Sequence, residues 1–188
     1  MSYKEYIAAL LSFHLVAITF VYILLRLQQP LCLYFFQERA PEIMPISAFN
    51  MAISFVTNTD WQSLPPESSL HPYTQGFLLI PQMFLAPAVG LSVFFALLRG
   101  LVKENGEIGN FFKDMIRVLL YILLPLSFLG ALLLSFLGVE QVWGRPLALF
   151  ETIKLIGTNG AGYFSENAAG LRENPTSWTT LFQWGYML

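Results

Sequence analysis

Charge is what this sequence has least of. Of its 188 residues only 12% are Asp, Glu, Lys or Arg, while 55% are hydrophobic. That is about half the charged share of a soluble domain, which excludes a water-soluble globule and leaves a membrane composition. Cysteine is nearly absent as well. Cys32 stands alone, so no intramolecular disulfide and no cysteine-based metal cluster can form. Basic blocks are missing, and a net charge of −2 gives no case for nucleic acid. The chain also lacks a phosphate-binding glycine loop, a metalloprotease motif and a DKTG-like phosphorylation site. It is therefore expected to catalyse nothing by itself, with any energy source lying elsewhere.

What is present is apolar length. Uncharged runs cover 6–25, 68–98 and 118–139, each sufficient for the roughly 20 residues of a spanning helix. A fourth starts at 174 and reaches the last residue, so three full spans and an incomplete fourth are expected. Only Lys4 and Glu5 precede the first run as charges, and no small-residue cleavage site follows it; it reads as a retained helix and not as a signal peptide. Arg99, Lys103, Lys113 and Arg117 crowd into one short connection, which the positive-inside rule places in the cytoplasm together with the N-terminus.

Two shorter apolar stretches, "PISAFNMAISFV" and "PLALFETIKLI", are each about half a bilayer long at roughly 1.5 Å per residue. Both lead into a Thr-Asn segment, and the two align without gaps at an offset of 101 residues. Pro45 falls on Pro146, Phe49 on Phe150, Thr57 on Thr158 and Asn58 on Asn159. The prolines suit a first helical turn. An internal repeat of span, half-helix, polar segment and span follows. The first unit is 1–102, with a span at 5–26, a half-helix at 45–56, a filter at 57–60 and a span at 74–102. The second is 103–188, with a span at 113–138, a half-helix at 146–156, a filter at 157–162 and the start of a span at 176–188. The fold class expected is all-α integral membrane, with re-entrant half-helices and extended filter segments.

Non-helical backbone survives at membrane depth only inside protein or along a wet cavity. A half-helix entering from outside points its negative end inward, which favours a cation. The backbone after it can turn carbonyl oxygens onto a dehydrated ion, and glycine makes such backbone cheap. Val56, Thr57, Asn58 and Thr59, with Gly157, Thr158, Asn159 and Gly160, are the candidate ligands. An all-oxygen set suits an alkali cation and offers a transition metal nothing. A single Thr-Asn-Gly is otherwise a turn; its occurrence twice, at one repeat phase, is what points to a filter. Asp60 is either a charge at the filter mouth or a solvated cap. His14 in mid-span and Gln82 beside Pro81 read more simply as helix-packing residues than as a relay or ligand. Glu151 and Lys154, three apart, can pair on one helix face.

These motifs together resemble KdpA, the family of potassium-binding A subunits of the bacterial Kdp pump, within the superfamily of potassium transporters. "SFVTNTDWQS" is similar to that family's first filter, usually TNTNWQ, and "IKLIGTNGAGYF" to its second, usually GTNGGGFF. "MSYKEYIAALL", "PQMFLAPAVGLSVFFALLRGL" and "FFKDMIRVLLYILLPLSFL" resemble its spans, so nearly the whole chain is covered. The GYG filter of ordinary potassium channels is absent. The resemblance implies potassium as the ion and four filters about a pseudo-fourfold axis. It also implies ATP used only by a partner, the P-type ATPase B subunit, along with small C and F subunits and a location in the bacterial inner membrane. Asp60 replaces the usual asparagine, Ala161 a glycine and Tyr163 a phenylalanine. The family's extra leading helix and its third and fourth filters have no counterpart. The chain is thus expected to be a fragment or split subunit completed by the remaining half of the A subunit. The alternatives are a two-repeat cation channel acting as a homodimer, or a truncated product with only an assembly role.

Overall fold

The computed structural model describes residues 1–102, 107–140 and 146–187. Lys103, one of the basic residues weighed for orientation, lies outside the described residues, as do the rest of the start of the second unit at 103–106 and its last residue, Leu188. Among the described residues the chain is helical, without strands. Its principal helices are α1 (Tyr3–Arg26), α2 (Gln28–Phe36), α3 (Pro45–Val56), α4 (Pro72–Val102), α5 (Phe111–Phe136), α6 (Leu147–Gly157) and α7 (Ser177–Met187). Three of them, α1, α4 and α5, are long and apolar enough to cross a bilayer. The chain is built as a multi-pass membrane protein.

Local chemistry sets the helix ends. Ser2 and Glu5 form a capping box at the start of α1: the Glu5 N–H donates to Ser2 Oγ at 3.4 Å, and the Ser2 N–H donates to Glu5 Oε2 at 2.8 Å. Pro45 begins α3 at a position whose N–H would have no helical partner. Pro146 takes a different place, as the N-cap residue of α6 with ψ at 70°, and the helix closes on Gly157. The half-helix expected at 146–156 is therefore displaced by one residue at each end.

Two prolines also leave a mark that their sequence does not display. Pro81 and Pro125 each follow a π-helical turn, at Gln75–Leu79 and Leu119–Leu123. A proline ring collides with the carbonyl four residues earlier, here that of Phe77 or Tyr121, and a widened turn accommodates it.

The core lies where α3 meets α1 and α4 and where α6 meets α4 and α5. Phe55, Met51, Phe150, Ile153 and Met83 are fully buried there. Outward faces stay apolar: Leu11, Leu15 and Val16 on α1 are more than 60% exposed. Burial of apolar groups drives little association in lipid, so close packing and the polar ties between helices hold the fold.

One such tie joins the ends of α4 and α5. Arg99 pairs with Asp114 through both carboxylate oxygens, and the Tyr6 hydroxyl donates to the Ser92 carbonyl at 2.9 Å beside them. The Asp114 side chain is 7% exposed and that of Arg99 28%. Arg99→Ala strands a nearly buried carboxylate, which costs about 3–5 kcal/mol when fully buried. Part of that is screened here, so a loss of about 1–3 kcal/mol is expected, read as a lower unfolding midpoint in detergent. An unshifted midpoint would show the pair to be structurally idle. At the same end the Ile108 N–H meets the Met1 carbonyl, so the N-terminus and the start of α5 lie together.

The connection between α1 and α4 is ordered by one amide. Gln28 donates to the carbonyls of Pro41 and Ser69 and accepts the His71 N–H, while Phe36 stacks on Tyr73 at 3.8 Å. This framework fixes where α3 begins and where its loop returns.

Candidate functional site

After α3 the chain turns sharply. Thr57 closes the helix, its N–H and hydroxyl both donating to the Ile53 carbonyl at 3.0 and 2.8 Å. Asn58 (φ 67°) and Asp60 (φ 51°) are left-handed, and the N–H groups of Thr59 and Asp60 converge on the Ser54 carbonyl at 3.0 and 3.1 Å. After α6, Thr158 is left-handed (φ 54°) and the Asn159 N–H reaches back to the Lys154 carbonyl at 2.9 Å. Neither stretch is the plain extended run expected from sequence, because the last helical carbonyls capture the first N–H groups of the loop.

The glycines serve another purpose than the one read from sequence. Gly157, Gly160 and Gly162 do not adopt positive φ; the strained residues are Asn58, Asp60 and the β-branched Thr158. What these glycines supply is room. A Cβ on Gly160 would stand 2.6 Å from the Thr59 carbonyl oxygen, and one on Gly157 would stand 2.6 Å from Asn159 Oδ1 and 3.0 Å from the Pro87 ring.

The two segments, about a hundred residues apart in sequence, lie against each other and are cross-tied. Asn58 Nδ2 donates to the Gly157 carbonyl at 2.9 Å, and the Gly162 N–H donates to Gln62 Oε1 at 3.2 Å. Farther out, Ser165 donates to Glu67 through its N–H (2.9 Å) and its hydroxyl (2.7 Å). Burial alone would raise the Glu67 carboxyl, but the Ser165 bonds, together with one from its own backbone N–H, outweigh it and hold it below the ordinary range. Asn159 Nδ2 anchors the second segment to the Met83 carbonyl on α4 at 3.1 Å.

Of the sequence candidates, Thr57, Thr59, Thr158 and Gly160 are exposed along this paired edge, Asn58 is half-buried, and Val56, Gly157 and Asn159 are buried behind it. Asp60 is fully buried, not solvated, and both its carboxylate oxygens lack a hydrogen-bond partner. Asn58 Oδ1 and Asn159 Oδ1 are in the same condition. His14 Nδ1 donates to the Leu10 carbonyl of its own helix at 2.9 Å, which fits a packing role. A cavity of about 660 Å³ opens beside the second segment, touching Thr158, Gly160, Asn167, Asn174 and Gln183. Among the described residues no group of three or more His, Cys, Asp or Glu side chains is placed to hold a metal ion.

Four residues that sequence reasoning passed over hold this arrangement: Gln62, Glu67, Asn167 and Glu173. The Glu173 carboxylate accepts the N–H groups of Tyr163 and Phe164 at 3.0 and 3.2 Å. Their signal was available in principle, since carboxylates and carboxamides flanking polar segments are few in so apolar a chain.

Three helices long and apolar enough to span a bilayer, together with two short helices that each end in a cross-tied, oxygen-rich loop, define a polytopic membrane protein. The sequence profile of the potassium-transporting ATPase A subunit, KdpA, matches residues 1–188, and the chain belongs to that family. It is 40% identical to a potassium-transporting ATPase potassium-binding subunit of Rhodospirillum centenum over 97% of its own length and 35% of the relative's. Proteins of the same description from Mycobacterium sp. (strain KMS) and Caulobacter vibrioides are 42% and 39% identical, over 93% and 96% of the chain and 35% and 34% of theirs. The chain thus spans about a third of the length of these relatives.

Proposed function

We propose that this chain forms part of the potassium-binding and translocating subunit of an ATP-driven potassium uptake complex. In this reading α3 and α6 are re-entrant half-helices of two successive repeats, and the loops after them are two walls of one selectivity filter. Carbonyl oxygens of Val56, Thr57, Asn58 and Thr59 and of Gly157, Thr158, Asn159 and Gly160 replace the water shell of potassium. ATP is hydrolysed by a partner, the P-type ATPase B subunit, with the small C and F subunits alongside. The remainder of the A subunit completes the ring. The N-terminus and the α4–α5 connection face the cytoplasm of the inner membrane.

One observation carries this reading. Where the two loops meet, four buried side-chain oxygens, on Asn58, Asp60 and Asn159, find no hydrogen-bond donor. Buried oxygens normally have partners, and a cluster of donor-less ones beside paired backbone loops fits a site whose partner is a cation of the hard, oxygen-seeking kind. In the complex assembled around this chain, ATP hydrolysis is expected to rise with potassium and not with sodium at equal concentration. Hydrolysis indifferent to potassium would remove the proposal. Asp60→Asn, which restores the family's usual residue, is expected to shift the potassium over sodium preference at least threefold, because the carboxylate lies one residue from Thr59. An unchanged preference would confine Asp60 to a packing role.

A further inference from the structure

Behind the second loop lies a charged cluster that the filter reading does not use. Lys154, on the last turn of α6, is 6% exposed, and Glu151 and Glu173 are 0% and 1% exposed. Lys154 Nζ donates to Glu151 Oε1 at 2.6 Å and to Asn167 Oδ1 at 2.7 Å, and stands 4.0 Å from Glu173 Oε2. Three ionisable groups buried together are costly unless mutually paired, so the cluster needs a reason beyond stability.

The connections from Lys154 supply one. By accepting the lysine proton, Asn167 Oδ1 fixes the orientation of its own amide, since only the opposite face, Nδ2, is left to donate. That Nδ2 points at the Gly160 carbonyl oxygen, 3.4 Å away. The second carboxylate near the lysine, Glu173, uses its other oxygen to hold the N–H groups of Tyr163 and Phe164. The space between is closed, because a Cβ on Gly162 would stand 2.7 Å from the Asn167 amide carbon. The segment 160–164 is thus gripped at both ends by groups that converge on one ammonium.

We infer that Lys154 is a positioning residue for ion selectivity, acting through Asn167 on the Gly160 carbonyl and through Glu173 on the loop that follows. This rests on Gly160 being a filter residue. A single hydrogen bond from Asn167 takes one lone pair of that carbonyl and turns the other toward the pore side. Without the lysine nothing anchors Asn167 Oδ1, and the amide is free to turn its Nδ2 away from the Gly160 carbonyl.

The test uses the assembled complex and reads potassium, rubidium and sodium dependence of ATP hydrolysis separately from its maximal rate. Lys154→Met is expected to raise the half-saturating potassium concentration about tenfold and to narrow the potassium over sodium ratio, with Lys154→Arg recovering most of both. Lys154→Met leaves two buried carboxylates unpaired and can fail to assemble. Asn167→Ala therefore provides a second route, since it cuts the link to Gly160 and leaves the ion pairs in place. It is expected to raise half-saturation at least threefold with the maximal rate intact. Wild-type ion dependence in Asn167→Ala overturns the inference, whether or not Lys154→Met assembles. If Gly160→Asp changes potassium dependence while Asn167→Ala does not, only the positioning role falls. If neither does, the filter assignment itself falls.

Discussion

Gly160→Asp is expected to raise the potassium concentration for half-maximal ATP hydrolysis by the assembled complex at least tenfold. The first atom added would stand 2.6 Å from the Thr59 carbonyl oxygen, so a backbone carbonyl of one loop has to move for the other to accept a side chain. Thr59 has little freedom to do so, because its own N–H and that of Asp60 are both bonded to Ser54. Overpacking of this kind costs about 1–3 kcal/mol, which corresponds to roughly 5–150-fold in apparent affinity. Aspartate adds a carboxylate beside a row of carbonyl oxygens, and Gly160→Ala is expected to shift the same value less. Unchanged potassium dependence in the aspartate variant would sink the assignment of Gly160 to the filter.

The second large effect lies away from the loops. Gly130→Val is expected to destabilise the folded chain by about 2–3 kcal/mol, seen as a lower unfolding midpoint in detergent and a raised half-saturating potassium concentration. Gly130 is where α5 passes α6 and α7 with no side chain between them. A Cβ there would collide with the Thr152 methyl group and would stand 2.7 Å from the Tyr186 ring and hydroxyl. The tyrosine is half-buried and can swing aside at the cost of the bond from its hydroxyl to the Leu126 carbonyl. Thr152 cannot, being fully buried with its own hydroxyl bonded to the Ala148 carbonyl. Since α6 carries Gly157 on its last turn, pushing the helix outward moves the second loop. A wild-type midpoint would mean that the helices do not approach so closely at Gly130.

The long apolar helices and the membrane class were legible because they rest on runs of uncharged residues, a signal no tertiary context reverses. The polar segments stood out for the same reason, as interruptions in a greasy chain. What sequence could not supply was the reason for each glycine. Positive φ is a local property and was the natural inference for Gly157 and Gly160, whereas the room they provide depends on Thr59, Asn159 and Pro87, which only folding brings near. The burial of Asp60 was hidden in the same way, since nothing in "TNTDWQ" says which side of the loop faces inward. Glu67 and Glu173 gave no periodic signal, and their partners, Ser165 and the Tyr163–Phe164 backbone, lie 98 and about ten residues away. The Glu151–Lys154 pair was visible as a three-residue spacing on one helix face, and the structure forms it, but its extension to Asn167 was not.

The cross-ties between the two loops bear on stiffness. With Asn58 holding the Gly157 carbonyl and Gln62 holding the Gly162 N–H, neither loop can collapse inward without stretching a bond to the other. A cation slightly smaller than the opening would have to pull both loops at once to gain close contact on every side. On the proposed filter reading, the elastic resistance of that pair, more than the identity of any one oxygen, sets how strongly a small ion is refused.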